Sequence, residues 1–264
     1  MKVVLFCGGY GMRMRSAVDD PIPKPMQMVG PRPLLWHVMR YYAHFGHKEF
    51  ILCLGYGARK IKEYFLEYKP EHCNDFVLRG NRVEMLTEDM SDWSISFVDT
   101  GRESAIGERL RRVRHHLGDD PYFLANYADV LTDAPLDDVV ETFHESGAAA
   151  SMLVVPPQSS FHCVDVAPNG EIKEITPVSM LPVWENGGYF VLSREIFDYL
   201  PPGGDLVADV CGTLAGQGRL FGYRHEGFWK PADTFKERAE LDNDYARGIH
   251  PWTVWETDRT APVS

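Results

Sequence analysis

Long apolar runs, paired cysteines and positive charge are all scarce in this sequence. No stretch reaches the roughly 20 apolar residues that a membrane-spanning helix needs. Only five apolar residues follow Met1-Lys2, which is too few for the apolar region of a signal peptide. We therefore expect a cytoplasmic protein with no membrane partner.

The cysteines and the charge exclude two further classes of protein. The chain has five cysteines, an odd number, widely spaced and without a C-x-x-C pair, which argues against a disulfide framework or a zinc site. Its net charge is -11, from 27 Lys and Arg against 38 Asp and Glu. Nucleic-acid binding needs a broad cationic face, so we expect no nucleic-acid partner. An anionic small molecule would need a local basic pocket.

What the sequence does contain is an alternation of strand and helix patterns up to about residue 155. Lys2 to Cys7 and Phe50 to Leu54 are continuous apolar runs, as in strands buried on both faces, and Pro33 to Phe45 between them has helical apolar spacing. Further strand and helix patterns follow in alternation. This order predicts an α/β fold with a mostly parallel sheet flanked by helices. From about Phe161 the runs shorten, and a last helix is predicted from Thr234 to Tyr245.

A glycine-rich loop with basic residues follows the first strand, in CGGYGMRMR (7–15). Gly8, Gly9 and Gly11 allow a sharp turn and a close approach of backbone N–H groups to a phosphate. Arg13 and, on the stiff PIPKP segment, Lys24 add charge that could neutralise a triphosphate. The loop has neither the G-K-[ST] of a P-loop nor the G-x-G-x-x-G of a dinucleotide site. Taken alone, it is equally consistent with a turn carrying solvated basic residues.

Two aspartates from distant parts of the chain complete the pattern. Asp129 follows a predicted strand, at the end where open α/β sheets bind ligands, and Asp233 precedes the predicted last helix. Two such carboxylates can hold one Mg²⁺ against phosphate oxygens. Capping or a turn is the alternative role for each aspartate.

Several longer motifs carry a resemblance to a known family. They are PKPM (23–26), LLWHVMRYY (34–42), LGYGARKIKEYF (54–65), SFVDTG (96–101), NGGYFVL (186–192), GFWKPADT (227–234) and PWTVWE (251–256). With the glycine loop, they make the chain similar to the sugar nucleotidyltransferases, in particular to their glucose-1-phosphate cytidylyltransferase branch. The resemblance implies one Rossmann-like domain over 1–256. Its nucleotide-binding part covers about 1–155, its sugar-binding part about 156–233 and its C-terminal helix and segment 234–256, with a disordered tail at 257–264.

The reaction that the resemblance implies joins a nucleoside triphosphate, here CTP, to a sugar 1-phosphate and releases pyrophosphate, in nucleotide-sugar biosynthesis. A homo-oligomer with Mg²⁺ as cofactor is expected. The residues implied for the nucleotide are Gly8, Gly9, Gly11, Met12, Arg13, Thr100, Arg109 and Tyr127. The catalytic set is Arg13, Lys24, Asp129 and Asp233, of which the two aspartates bind the metal. The sugar-phosphate set is Asn186, Gly187, Lys173, Thr176 and His162.

The chain also departs from the family pattern at several positions. Met12 stands where Thr is usual, and Glu108, Ala128 and Val130 stand where Gly is usual. Thr176 replaces the lysine that grips the sugar phosphate, a role we expect Lys173 to have taken over, and His162 replaces a glycine of the sugar pocket. These changes leave open whether the acceptor is glucose 1-phosphate.

Three other functions remain as alternatives. The first is a catalytically impaired binding or regulatory subunit. The second is a nucleotidyltransferase that uses UTP, dTTP or GTP. The third is a glycosyltransferase, which usually carries a D-x-D metal motif; none occurs near Asp129.

Overall fold

The computed structural model describes residues 1–9, 22–159 and 161–257. Its strands are β1 Val3–Phe6, β2 Met28–Val29, β3 Arg32–Pro33, β4 Glu49–Leu54, β5 Phe76–Arg79, β6 Arg82–Met85, β7 Ser94–Asp99, β8 Tyr122–Asn126, β9 Val130–Thr132, β10 Ala150–Val155, β11 His162–Val166, β12 Ile172–Pro177, β13 Glu185–Ser193, β14 Leu220–Arg224 and β15 Trp229–Pro231. Its α-helices are α1 Leu34–His44, α2 Ala58–Leu66, α3 Ile106–Val113, α4 Leu136–Ser146, α5 Gly212–Gly216, α6 Phe235–Ala246 and α7 Val254–Thr257.

Seven strands form the central sheet, in the order β14-β10-β13-β8-β1-β4-β7. Strand β1 runs parallel to β4 and β8, and β4 to β7, whereas β13 is antiparallel to both of its neighbours. The prediction of a mostly parallel α/β sheet is therefore confirmed. The carboxyl ends of β1, β4, β7 and β8 meet at one edge, where the candidate site lies.

Both faces of the sheet are buried, which explains the continuous apolar runs. Val3 and Leu5 of β1 belong to a core shared with α1, α2, α4 and α6. Val4 and Phe6 point the other way, into a second core shared with α3 and the segment 196–214. Side chains alternate along a strand, so every position of β1 must be apolar.

The structure adds elements that the strand-helix alternation does not predict. The antiparallel pairs β5–β6 and β11–β12 lie outside the central sheet. The predicted last helix is present as α6, but the short α7 follows it. Most of the predicted tail, 258–264, lies outside the described residues. Within the described part of the chain, no helix is both long enough and apolar enough to span a membrane.

Candidate active site

A two-stranded pairing brings the two predicted aspartates together. Strand β9, which directly follows Asp129, pairs antiparallel with β15, and Val130 stands opposite Pro231. The N–H of Ala232 then donates to the carbonyl oxygen of Asp129 at 2.9 Å. Asp129 and Asp233 are thus neighbours at the carboxyl edge of the sheet.

Lys24 lies between these carboxylates. Its Nζ donates to Oδ2 of Asp129 at 2.6 Å and also to Oδ1 of Asp233. Burial alone would lower the pKa of Lys24, but the two carboxylates outweigh burial and raise it. Burial raises the pKa of Asp129, and Lys24 offsets that rise only in part. The three residues form one charge group, which we name the Lys24 cluster.

The Lys24 cluster fits a cation that substrate phosphates help to bind. Its carboxylates already grip one positive charge, the ammonium of Lys24. Among the residues that the structure describes, no group of three or more His, Cys, Asp or Glu could hold a metal ion. Mg²⁺ in nucleotide enzymes is commonly bound by one or two carboxylates together with phosphates. The pair Asp129 and Asp233 suits that arrangement and not an all-protein metal cage.

At Gly8, the buried Arg109 connects the ends of several strands. The guanidinium of Arg109 donates to the carbonyl oxygen of Gly8 at 3.0 Å and to the hydroxyl of Thr100 at 2.9 Å. Burial lowers the pKa of Arg109. A Cβ at Gly8 would collide with this guanidinium, and one at Gly55 would stand 2.8 Å from its Nη1. Glycine at position 8 is therefore required by Arg109, beyond any approach of the backbone to a nucleotide.

Thr100 is itself fully buried, and its hydroxyl donates to the carbonyl oxygen of Leu54 at 2.8 Å. We call Gly8, Gly55, Thr100 and Arg109 the nucleotide-side floor. Its hydrogen bonds join Arg109 of α3 to the residues that follow β1 and β7, and join Thr100 after β7 to Leu54 at the end of β4. The floor therefore holds the carboxyl edge of β1, β4 and β7 as one unit.

The loop that carries Asp129 contains a left-handed residue. Ala128 has φ = 62° and is the described non-glycine residue with positive φ. Such a conformation costs an L-residue roughly 1–2 kcal/mol. The N–H of Ala128 donates to Oδ1 of Asn126 at 2.6 Å, and the methyl group is buried in the core. The local bond and the packing hold the conformation that glycine adopts in the family pattern.

A glycine bulge in β13 shapes the other side of the site. Met152 pairs with Phe190, but Val154 pairs with Asn186, so two steps along β10 correspond to four along β13. Gly188, with φ = 77°, lets the chain turn against the ring of Tyr127. Asn186 accepts from the N–H of Gly188 at 2.9 Å and donates to the hydroxyl of Tyr127 at 2.9 Å. The bulge, Asn186 and Tyr127 thus form one bonded unit.

A cavity of about 870 Å³ opens above these groups. The predicted residues that line it are Gly9, Arg109, Tyr127, Asp129, Asn186 and Asp233. Gly8, Thr100 and Lys24 contact lining residues from below. The carbonyl oxygen of Gly187 accepts a hydrogen bond from Nε1 of Trp229, another lining residue. Gly11, Met12 and Arg13 lie outside the described residues.

The three remaining sugar-phosphate candidates lie on β11–β12, away from the cavity wall. Cys163 pairs with Thr176, and the register shifts between Asp165 and Val166 so that Lys173 is the unpaired residue of a bulge. The Nζ of Lys173 forms an ion pair with Glu171 at 2.7 Å. The hydroxyl of Thr176 donates to Glu174 at 3.0 Å. In the described part of the chain, neither these residues nor His162 line the cavity.

Sequence reasoning missed several lining residues. Glu237 carries a signal that could have revealed it, because T-x-x-E at 234–237 is a capping box. Its carboxylate accepts the N–H groups of Asp233 and Thr234, each at 2.8 Å, and so fixes the backbone of Asp233 at the start of α6. Glu185 and Trp229 carry no comparable local signal.

The chain is similar to known proteins in sequence and in fold. A scan against protein-family models finds no match. The probable glucose-1-phosphate cytidylyltransferase of Bacillus subtilis (strain 168) is 38% identical over 259 residues, covering 97% of this chain and 100% of that protein. The glucose-1-phosphate cytidylyltransferase of Salmonella typhimurium is 34% identical over 264 residues, with the same two coverages.

A solved structure of a putative glucose-1-phosphate thymidylyltransferase from Bacillus anthracis superposes with a TM-score of 0.69 at 18% identity. The match covers 94% of this chain and 96% of that one. At so low an identity, the likeness shows a shared fold and nothing about the nucleotide.

Proposed function

Because the chain belongs to the glucose-1-phosphate cytidylyltransferase family of sugar nucleotidyltransferases, we propose that it transfers the cytidylyl group of CTP to a hexose 1-phosphate. The observation that carries the proposal is the Lys24 cluster, in which Lys24 bonds Asp129 and Asp233 at the mouth of the cavity. Lys24, Asp129 and Asp233, the predicted catalytic residues that the structure describes, all belong to this cluster. Arg13 keeps its predicted role as a phosphate ligand.

In the proposed reaction, an oxygen of the sugar phosphate attacks the α-phosphorus of CTP. A new oxygen–phosphorus bond forms as the bond to the bridging oxygen breaks, and pyrophosphate leaves with the electron pair of that bond. The attacking phosphate is already mostly dianionic at neutral pH, so no protein base has to remove a proton. Asp129 and Asp233 would hold Mg²⁺, which supplies a Lewis acid for the phosphate oxygens when it is bound.

Lys24 contributes a permanent positive charge to this process. Its raised pKa keeps the ammonium protonated throughout the neutral range. A preorganised cation next to transferring phosphates stabilises the charge that develops on them without reorganising. Arg109 has a different role. Its guanidinium already donates to Gly8 and Thr100, so it holds the nucleotide-side floor together.

The test is pyrophosphate release measured with CTP, UTP, dTTP, GTP and ATP against a panel of sugar 1-phosphates at saturating Mg²⁺. We expect CTP to exceed every other nucleotide at least tenfold in kcat/KM. A tenfold preference for UTP or dTTP would refute the cytidylyl assignment. Absence of release with every pair would instead favour the impaired binding or regulatory subunit. A cytoplasmic location and a homo-oligomeric state stay predictions from the sequence.

A further inference from the structure

The wall of the cavity on the β13 side contains carboxylates and no cation. In the sheet, β13 and β1 flank β8, which leads to Asp129. On the β13 side the wall consists of Gln158, Ser159, Glu185, Asn186, Trp229 and Glu237, which we name the acceptor wall. It contains two carboxylates, and none of its six residues is a cation. The remaining charged lining residues are of both signs: Arg102, Arg109, Glu103, Asp129, Asp205 and Asp233.

Glu185 is the carboxylate of this wall that remains available to a ligand. It is exposed, and its carboxylate forms no hydrogen bond or ion pair with the residues that the structure describes. Glu237, in contrast, already accepts the backbone N–H groups of Asp233 and Thr234. Asn186 is likewise engaged, with Gly188 and Tyr127. Among the three, Glu185 has the unused acceptor capacity.

The bulge in β13 gives Glu185 a defined place. Glu185 pairs with Val155 at the end of β10, immediately before the bulge that Asn186 locks. Trp229 lines the same cavity, and its Nε1 donates to the carbonyl oxygen of Gly187 in the same bulge at 2.8 Å. A wall that carries both an indole and a carboxylate is suited to a sugar ring, since the ring has apolar C–H faces and a rim of hydroxyl donors.

We propose that Glu185 selects the acceptor, a neutral hexose 1-phosphate whose ring hydroxyls donate hydrogen bonds to its carboxylate. A carboxylate accepts hydrogen bonds at two oxygens and has no proton to donate at neutral pH, so it favours ligands with hydroxyl donors. It repels a second negative charge on the sugar, such as the carboxylate of a uronic acid 1-phosphate. The proposal rests on the proposed function, because it assigns the substrate class of the same site.

The experiment compares glucose 1-phosphate with glucuronic acid 1-phosphate in the presence of CTP and Mg²⁺, for the wild type and Glu185→Gln. The matched control is Glu49→Gln, which removes an equal charge at the first residue of β4, on the opposite edge of the sheet. We expect the wild type to prefer glucose 1-phosphate by about 100-fold or more in kcat/KM, as expected for loss of hydroxyl donors plus charge repulsion.

Glu185→Gln should raise the KM for glucose 1-phosphate about tenfold and lower the preference at least tenfold, since loss of a charged hydrogen bond has this size. Its KM for CTP should stay within twofold of the wild type, and Glu49→Gln should leave all constants unchanged. A preference that stays within twofold in Glu185→Gln would overturn the acceptor assignment alone. If neither sugar phosphate nor any other supports pyrophosphate release, the proposed function itself fails.

Discussion

The nucleotide-side floor and the antiparallel pair β11–β12, which we call the ribbon, differ in how deeply their residues are buried. In the floor, Arg109 bonds to Gly8 and Thr100, and all three residues are buried. In the ribbon, every residue of β11 is exposed, and so are the first four of β12. A change in the floor must disturb several strands, whereas a change in the ribbon meets mainly solvent.

The departures from the family pattern fall on both sides of this difference. His162 and Thr176 lie on the ribbon, Val130 is buried beside Asp129, and the floor residues match the pattern. Near the floor, Ala128 and Glu108 do depart, and each is held by local bonds, Ala128 to Asn126 and Glu108 to Arg111 and Arg112. Departures on the ribbon thus meet little packing, whereas the buried ones are compensated by local bonds. Four experiments test this contrast.

The largest effect is expected at the Lys24 cluster. Asp129→Asn should lower kcat by about 10³-fold or more, because it removes a charged ligand of the metal, and Lys24→Ala by about 10²-fold, the usual loss for one preorganised cation. Pyrophosphate release at saturating Mg²⁺ measures both. Asp119→Asn, in an exposed turn before β8, is the control and should retain full activity. Near-normal turnover in Asp129→Asn would show that the metal site lies elsewhere.

Next in size is the floor itself, tested by two adjacent glycines. Gly8→Ala should lower the free energy of unfolding by about 1–3 kcal/mol and raise the KM for CTP, because its Cβ would collide with the guanidinium of Arg109. Gly9→Ala is the matched control for stability, since a Cβ there has no described atom within 4 Å. Urea unfolding measures both variants, and nucleotide kinetics measure Gly8→Ala. Equal losses in the two would mean that the Arg109 contact does not constrain the loop.

The third experiment tests whether the core around helix α1 excludes water from the side chain of His37. Burial lowers the pKa of His37, on α1, from 6.5 to about 4. Between these values the unfolded chain binds a proton that the folded chain does not, so stability falls as the pH drops below 6.5. Linkage predicts a loss of about 2 kcal/mol from pH 7 to pH 5.

Urea unfolding of the wild type and His37→Gln at both pH values isolates this contribution. Burial also lowers the pKa of His47 to about 4, so part of the loss should persist in the variant. His47→Gln serves as the companion measurement. If His37→Gln loses as much stability as the wild type on acidification, His37 is not a source of the pH dependence.

The smallest effect is expected on the ribbon. The sequence predicts that Lys173 grips the acceptor phosphate, but the structure pairs Lys173 with Glu171 outside the described cavity wall. We therefore expect Lys173→Ala to change the KM for glucose 1-phosphate by about twofold at most, as for other exposed ion pairs. A rise of about fivefold or more with an unchanged KM for CTP would restore the sequence prediction, because only an acceptor ligand acts in that way.

Local sequence patterns are enough to predict the main helices and strands of this protein and the chemical groups of its site. Continuous apolar runs predict doubly buried strands such as β1 and β4, and the helical spacing of 33–45 predicts α1, because burial imposes its period directly on neighbouring residues. The glycine loop, Lys24 and the two aspartates were likewise visible as residue types suited to phosphates and a metal ion.

Which of these groups come into contact depends on the tertiary structure. The pairing of β9 with β15 places Asp233 beside Asp129, and the packing of α3 lays Arg109 against Gly8. The bulge in β13 places Glu185 in the wall, while β11–β12 holds Lys173 away from it. Contacts between distant segments depend on strand register and on the packing of whole layers. A one-residue shift in register would reverse the faces of a strand without changing its local pattern.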